Sequence, residues 1–177
     1  LNTNSVTQRW RIVNTDEGIK LISDVSEDTE LALSIQNAAS ANDAKAVLSE
    51  YDAQNSGMQF KIVMNSDGYT YRLLTKSSNY SKCATVYAAS FNAGANIIQY
   101  TYNDGWNDAW VLEPAIEVHS YYDNHYISDN SITDGEYYIK NKNSGLYLDV
   151  YWASDTDGAN IIQWTRNLSL IHISEPT

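Results

Sequence analysis

Few of the residues able to do covalent or metal chemistry stand in a pattern that such chemistry could use. His119 and His125 lie six apart in HSYYDNH, which is no helical metal pair, and no cysteine partners them. They read as surface-loop residues. Asp155-Thr156-Asp157-Gly158 is similar to the start of a calcium loop, but the remaining ligands and the closing Glu are missing, so it reads as a plain turn. Cys83, the sole cysteine, has no internal disulfide partner and reads as a small buried hydrophobe. No Gly-x-Ser-x-Gly, His-Glu-x-x-His, phosphate loop or dinucleotide fingerprint occurs. Among 22 Asp and Glu residues nothing singles out a pair at glycosidase separation. The expectation is a non-enzyme with no metal and no cofactor.

What remains is non-covalent chemistry. The chain has 14 Tyr and 5 Trp against 2 Phe, on a polar background of Asn, Ser and Thr. Amphipathic rings beside neutral hydrogen-bonding side chains suit uncharged polar ligands. The net charge of −11 argues against nucleic acid, whose affinity comes from Lys and Arg on phosphates, and against an anionic membrane surface. Only 19% of residues are charged, which excludes a disordered acidic tail. No run approaches the roughly 20 apolar residues of a membrane span. The chain starts at Leu1 with nothing resembling a signal peptide. Residues 168–177, LSLIHISEPT, abandon the Tyr/Asn/Gly style and resemble translated sequencing-adapter read-through. The expectation is an artefactual tail, which sets His172 aside, on a fragment cut at both ends.

Repeats supply the elements that must position these side chains. RWRIV (9–13), QFKIV (59–63) and AWVLE (109–113) place Trp10, Phe60 and Trp110 at intervals of 50 residues. Each opens the pattern of an aromatic and an apolar pair, as a strand closing a unit should. GANIIQ recurs at 94–99 and 158–163, each time followed by an aromatic and Thr, and DAKAVLSEYD (43–52) fills the same slot in the preceding unit. Residues 42–53 have a helix's capping residue and composition, yet their alignment with strands elsewhere predicts a strand. Asp-Gly pairs at 67–68, 104–105, 134–135 and 157–158 signal hairpin turns between short Tyr-, Val- and Ile-rich runs. The organisation predicted is the last strand of one unit (1–13), two whole units (14–63 and 64–114), a connector (115–132) and a further unit lacking its last strand (133–167).

Four-stranded units repeated with threefold spacing and a closing aromatic make an all-β chain, a β-trefoil. YIKNKNSGLYLDV (138–150), GANIIQW (158–164) and NDAW (107–110) resemble the ricin-B-type lectin family over roughly residues 5–167. The closing Gln-x-Trp is intact at Gln8-Arg9-Trp10 and approximated at Gln59-Phe60 and Ala109-Trp110. Two closures are open: residues 1–114 finish one trefoil and 133 onward begins another, or the strand at 9–13 completes the last unit as a permuted single trefoil.

The resemblance implies carbohydrate binding. A pyranose needs a flat ring under its C–H face and a carboxylate or amide for its hydroxyls. Each unit of the family takes an Asp from the first hairpin, an aromatic some fifteen residues later, a Gln two before that aromatic and an Asn ahead of the closing Trp. The last unit supplies Asp149 and Trp164, with Trp152 as a rim aromatic, but has Ile162 in the Gln slot and an Asn slot falling in the suspect tail. Residues 64–114 keep Tyr100 and Asn107, with Thr85 and Ile98 in the acid and Gln slots. Residues 14–63 have Ser34, Ser49 and Gly57 at the acid, ring and Asn positions, so that unit reads as structural. Trp10, Phe60 and Trp110 read as core.

The function so implied is a lectin module that tethers a larger secreted or surface protein, bacterial in style, to a glycan (galactose-type or another polysaccharide). Covalently attached catalytic or adhesion domains are implied partners; nucleic acid and membrane insertion are not. The alternatives are a non-binding trefoil whose sugar sites have decayed, serving as a scaffold or protein-interaction module, and a part of a glycoside hydrolase. A shallow site of this kind contributes about −4 kcal/mol, millimolar affinity, so useful binding needs several sites or tethered copies.

Overall fold

Short alternating strands account for the architecture. A computed structural model describes residues 6–115 and 132–167, so His119, His125, His172, most of the connector and the 168–177 tail lie outside the described residues. Among the described residues twelve strands are formed: β1 (Arg9–Thr15), β2 (Gly18–Ser23), β3 (Leu31–Ile35), β4 (Ala46–Glu50), β5 (Phe60–Met64), β6 (Tyr71–Thr75), β7 (Lys82–Val86), β8 (Ile97–Thr101), β9 (Trp110–Pro114), β10 (Gly135–Asn141), β11 (Tyr147–Val150) and β12 (Ile161–Trp164). Among the described residues the helical segments are single 3-10 turns. In β6 every second residue is buried, the period expected of a half-buried strand.

The pairings give the topology. β1 pairs with β2 and β10, β5 with β2 and β6, and β9 with β6 and β10, all antiparallel, so six strands close into a ring without a free edge. The hairpins β3–β4, β7–β8 and β11–β12 form the remaining layer, one per unit. This is the pseudo-threefold β-trefoil that the repeats predict. β1 meets β10 with Arg9 opposite Tyr138 and Trp10 opposite Tyr137, so the first strand completes the unit formed by β10, β11 and β12.

Trp10, Phe60 and Trp110 are fully buried at the centre, packed with residues that include Leu21, Leu33, Leu48, Leu73, Ile97, Leu148 and Ile161. The two indoles also fasten the hairpins: Trp10 Nε1 donates to the Leu148 carbonyl at 3.1 Å and Trp110 Nε1 to the Ala84 carbonyl at 3.0 Å. Phe60 has no N–H to offer its own hairpin. The helix-like segment 42–53 contributes strand β4, because pairing with β3 buries Ala46, Val47 and Leu48 together, and that burial overrides local propensity.

Cys83 is buried, and burial raises its thiol pKa. Of the Asp-Gly pairs, 67–68 turns the β5–β6 hairpin, where Asp67 Oδ1 accepts from the Tyr69 and Thr70 amides, and 157–158 forms a turn in the longer β11–β12 hairpin loop. The other two are a correction to the hairpin-turn reading. Residues 104–105 lead into the 3-10 turn Trp106–Asp108, and 134–135 opens β10. There the Asp side chain bonds neighbouring groups, Tyr102 to Asp104 and Asn14 to Asp134, instead of bending a two-residue loop.

Candidate functional site

The β11–β12 hairpin sets Asp149 opposite Ile162 and Tyr147 opposite Trp164. Asp149 and Trp164 are therefore diagonal neighbours on one face, since side chains two apart on a strand point the same way. The 3-10 turn Tyr151–Ala153 follows β11 directly. Asp149, Trp152 and Trp164 line one cavity of about 380 Å³ together with Thr7, Tyr151, Ile162 and Asn167.

Trp152 is the most informative of these. Its backbone is left-handed, φ 55 and ψ 25, and its side chain is 83% exposed. For an L-residue that conformation costs about 1–2 kcal/mol, and in a bulky residue it is an outlier. The symmetry-related turns share the geometry, with Ala88 at φ 53 and Asn37 at φ 58. The backbone bend thus belongs to the fold, whereas the indole standing on it lies outside the buried core, edge-to-face with Tyr151. Trp164 is 42% exposed, and its ring edge lies in ordinary contact range, 3.6 Å, of the position a Cβ would take at Gly94, a residue whose φ of 90 favours glycine.

Asp149 is buried to 5% exposure. Burial pushes its pKa above the ordinary carboxylate value, and hydrogen bonds from Gln8, Thr7 and the Val150 amide work in the opposite direction. Gln8 is a clamp: its Nε2 donates to Asp149 Oδ2 at 2.9 Å and to the Thr165 carbonyl at 2.9 Å, and its Oε1 accepts from the Asn167 amide at 2.8 Å. The arrangement offers a carboxylate beside two ring faces, able to accept hydroxyl hydrogen bonds from a ligand with an apolar face.

One expectation is corrected. The Asn slot of this unit is filled from the start of the chain, because β1 closes the unit: Thr7, three residues before Trp10 as Asn107 is three before Trp110, lines the cavity. That spacing was the available signal for Thr7. Nothing in the sequence marked Gln8 as a partner of Asp149, 141 positions away, or Asn167 and Tyr151 as lining residues.

Tyr100 and Asn107 lie apart from these, in a cavity of about 420 Å³ also lined by Asp43, Thr85, Tyr87, Asn103 and Asp108. Thr85, at the position of Asp149, is committed: its hydroxyl donates to the Asn107 carbonyl and accepts from Asn107 Nδ2, each at 2.9 Å. The β3–β4 hairpin keeps the scaffold without the chemistry. Ser49 donates to Asp157 Oδ1 at 2.7 Å, which also accepts from the Glu50 amide, and these bonds lower the Asp157 pKa. A Cβ at Gly57 would fall 2.6 Å from the Ile35 carbonyl, so no amide side chain fits there. Among the described residues no cluster of His, Cys, Asp and Glu could hold a metal ion.

Residues 6–100 and 59–164 match the ricin-type beta-trefoil lectin domain-like family. Among solved structures, the designed threefold-symmetric protein ThreeFoil is 28% identical, with 92% of each chain covered and a TM-score of 0.64. An exo-beta-1,3-galactanase from Clostridium thermocellum is 23% identical over 90% of this chain but only 27% of its own, with a TM-score of 0.62. A Polyporus squamosus lectin, bound to the epitope Neu5Aca2-6Galb1-4GlcNAc, is 15% identical over 93% of this chain and 45% of its own, with a TM-score of 0.54. The search of curated proteins returned no match. The last two likenesses speak to the fold alone, whereas the family match spans nearly all the described residues: the chain belongs to the ricin-type beta-trefoil lectin domain-like family.

Proposed function

We propose that the chain binds carbohydrate through the cavity formed by Asp149, Trp152 and Trp164. The observation that carries this is Trp152, an indole held on a left-handed backbone, exposed to solvent beside a carboxylate and a second indole. Asp149 accepts hydroxyl hydrogen bonds, Trp164 stacks on the C–H face, and Trp152 covers the rim. Tyr100 and Asn107 form a second, weaker station. A single shallow site gives about millimolar affinity, so the module acts as a tether. It raises the local concentration of an attached secreted or surface protein on glycan.

A glycan array probed with the parent chain, Asp149→Asn and Trp152→Ala tests this. Binding by the parent and at least tenfold weaker binding by both variants is expected. Equal binding by all three would move the site elsewhere. No binding by the parent would favour the second reading, a trefoil scaffold with decayed sites, which rests on Ser34 and Thr85 standing where the acid should be.

A further inference from the structure

The loop leading into the second strand of each hairpin reaches across to another unit. Gly158 donates its amide to the Leu48 carbonyl (2.7 Å), Gly94 to that of Gln163 (2.8 Å) and Asp43 to that of Gln99 (2.9 Å). All three residues are left-handed, at φ 87, 90 and 67. Glycine is the residue that holds such a backbone without a Cβ penalty, and two of the three turns use it. The third carries an aspartate.

That exception coincides with a deficit. Asp43 lines the cavity of Tyr100 and Asn107, whose hairpin position holds Thr85 in place of an acid. Thr85 has its hydroxyl tied to Asn107 on both the donor and the acceptor side. Asp108, also in the lining, is buried, with Oδ2 accepting from the Asn103 amide. Asp43 is exposed, and its carboxylate has no hydrogen-bond or ion-pair partner among the described residues. At the matching turn, Gly94 abuts the larger Trp164 ring. At Asp43 the ring is the smaller Tyr100, 40% exposed, and the side chain absent from Gly94 is present.

We propose that Asp43 supplies the carboxylate of a second sugar site in the Tyr100 cavity, delivered from the neighbouring unit's turn instead of from the hairpin's first strand. The ligand class is an uncharged saccharide, its hydroxyls donating to Asp43 and its C–H face lying on Tyr100. This rests on the glycan-binding reading above and adds the residue through which a degenerate unit keeps a working station. The two cavities take their acids from opposite sides of the ring, Asp149 from the hairpin strand and Asp43 from the docking turn, so they present a sugar's hydroxyls with different geometry.

The test uses arrayed neutral galactose- and glucose-based oligosaccharides and five proteins: the parent, Trp164→Ala, Asp43→Asn, the double variant Trp164→Ala/Asp43→Asn, and Asp43→Gly. Asparagine tolerates the left-handed backbone, so Asp43→Asn removes the charge without reshaping the turn. Trp164→Ala should leave residual binding, and adding Asp43→Asn should lower that residue at least fivefold. Asp43→Gly should lower binding in the same way while melting no lower than the parent, which separates a ligand role from a folding role. Double-variant binding equal to that of Trp164→Ala overturns the assignment, as does complete loss of binding in Trp164→Ala alone; in both cases glycan binding by the parent leaves the first site standing. A parent that binds nothing overturns both.

Discussion

The β11–β12 and β3–β4 hairpins hold the same station on the threefold scaffold, with matching strand pairings and the same left-handed turn, at Trp152 in one and Asn37 in the other. The first surrounds a cavity with a carboxylate and two indoles. In the second, Ser34 and Ser49 replace acid and ring, and Asp157 from the neighbouring unit satisfies Ser49 and Glu50. The backbone alone therefore does not make a site. In the unit without a ring, the neighbour's docked turn also satisfies the hairpin's polar groups through Asp157, and the unit serves as structure.

The largest effect expected concerns what both regions need. Trp10→Ala should destabilise the chain by about 3–5 kcal/mol in denaturant unfolding, the range for removing a large buried aromatic. Glycan binding should fall with the folded fraction, because Trp10 holds the Leu148 carbonyl next to Asp149. Trp10→Phe copies the Phe60 arrangement of the silent unit and leaves that carbonyl unpaired, a cost of about 1–3 kcal/mol.

Binding variants sharpen the contrast between the hairpins. Trp164→Ala should weaken glycan binding about tenfold, roughly 1.4 kcal/mol of lost stacking, with little change in stability, because the ring is partly exposed. Ser49→Ala, its counterpart, should leave binding unchanged and cost a few tenths to about 1 kcal/mol through the lost hydrogen bond to Asp157. A comparable loss of binding in both would break the distinction.

Acid titration separates them further. Burial raises the Asp149 pKa, so the folded chain holds this proton at a higher pH than the unfolded chain does. The protonated form favours the fold, and that contribution is present below the ordinary aspartate pKa and lost as pH rises through the raised value. Ligand binding runs the other way, since hydroxyl donors need the carboxylate. Affinity should fall on acidification, with a midpoint above the ordinary aspartate value, and Asp149→Asn should flatten that step. Asp157 in the silent unit is shifted downward by its partners, so Asp157→Asn should leave the binding profile unmoved.

The smallest effects fall on the shared turn. Trp152→Gly relieves a left-handed tryptophan and should stabilise the chain by about 1 kcal/mol while weakening glycan binding. Asn37→Gly should gain less than 0.5 kcal/mol or so, because asparagine tolerates this backbone, and leave binding alone.

Much of this was legible beforehand because periodicity reports the core. Trp10, Phe60 and Trp110 had to converge, and the repeat alignment read 42–53 as a strand against its helix-like composition. The pairing of Asp149 with Trp164 followed from the family resemblance. Illegible were features set by distant closure or by backbone angle. Thr7 and Gln8 reach Asp149 only because β1 closes against β10. The left-handed turn at Trp152 carries no glycine to announce it. Asp157 read as an ordinary turn residue and Asp43 as part of a helix-like segment aligned with strands; docking of one unit on the next places both at a neighbour's hairpin.

The most direct test of the central claim is a titration of the isotope-labelled chain with the neutral oligosaccharide it binds best on an array, followed by amide chemical shifts. Shifts should concentrate at Thr7, Val150–Ala153 and Ile162–Trp164, with Ser34–Ala38 and Ser49 unmoved. Shifts centred on the β3–β4 hairpin, or a response that bypasses residues 149–164, would contradict the account.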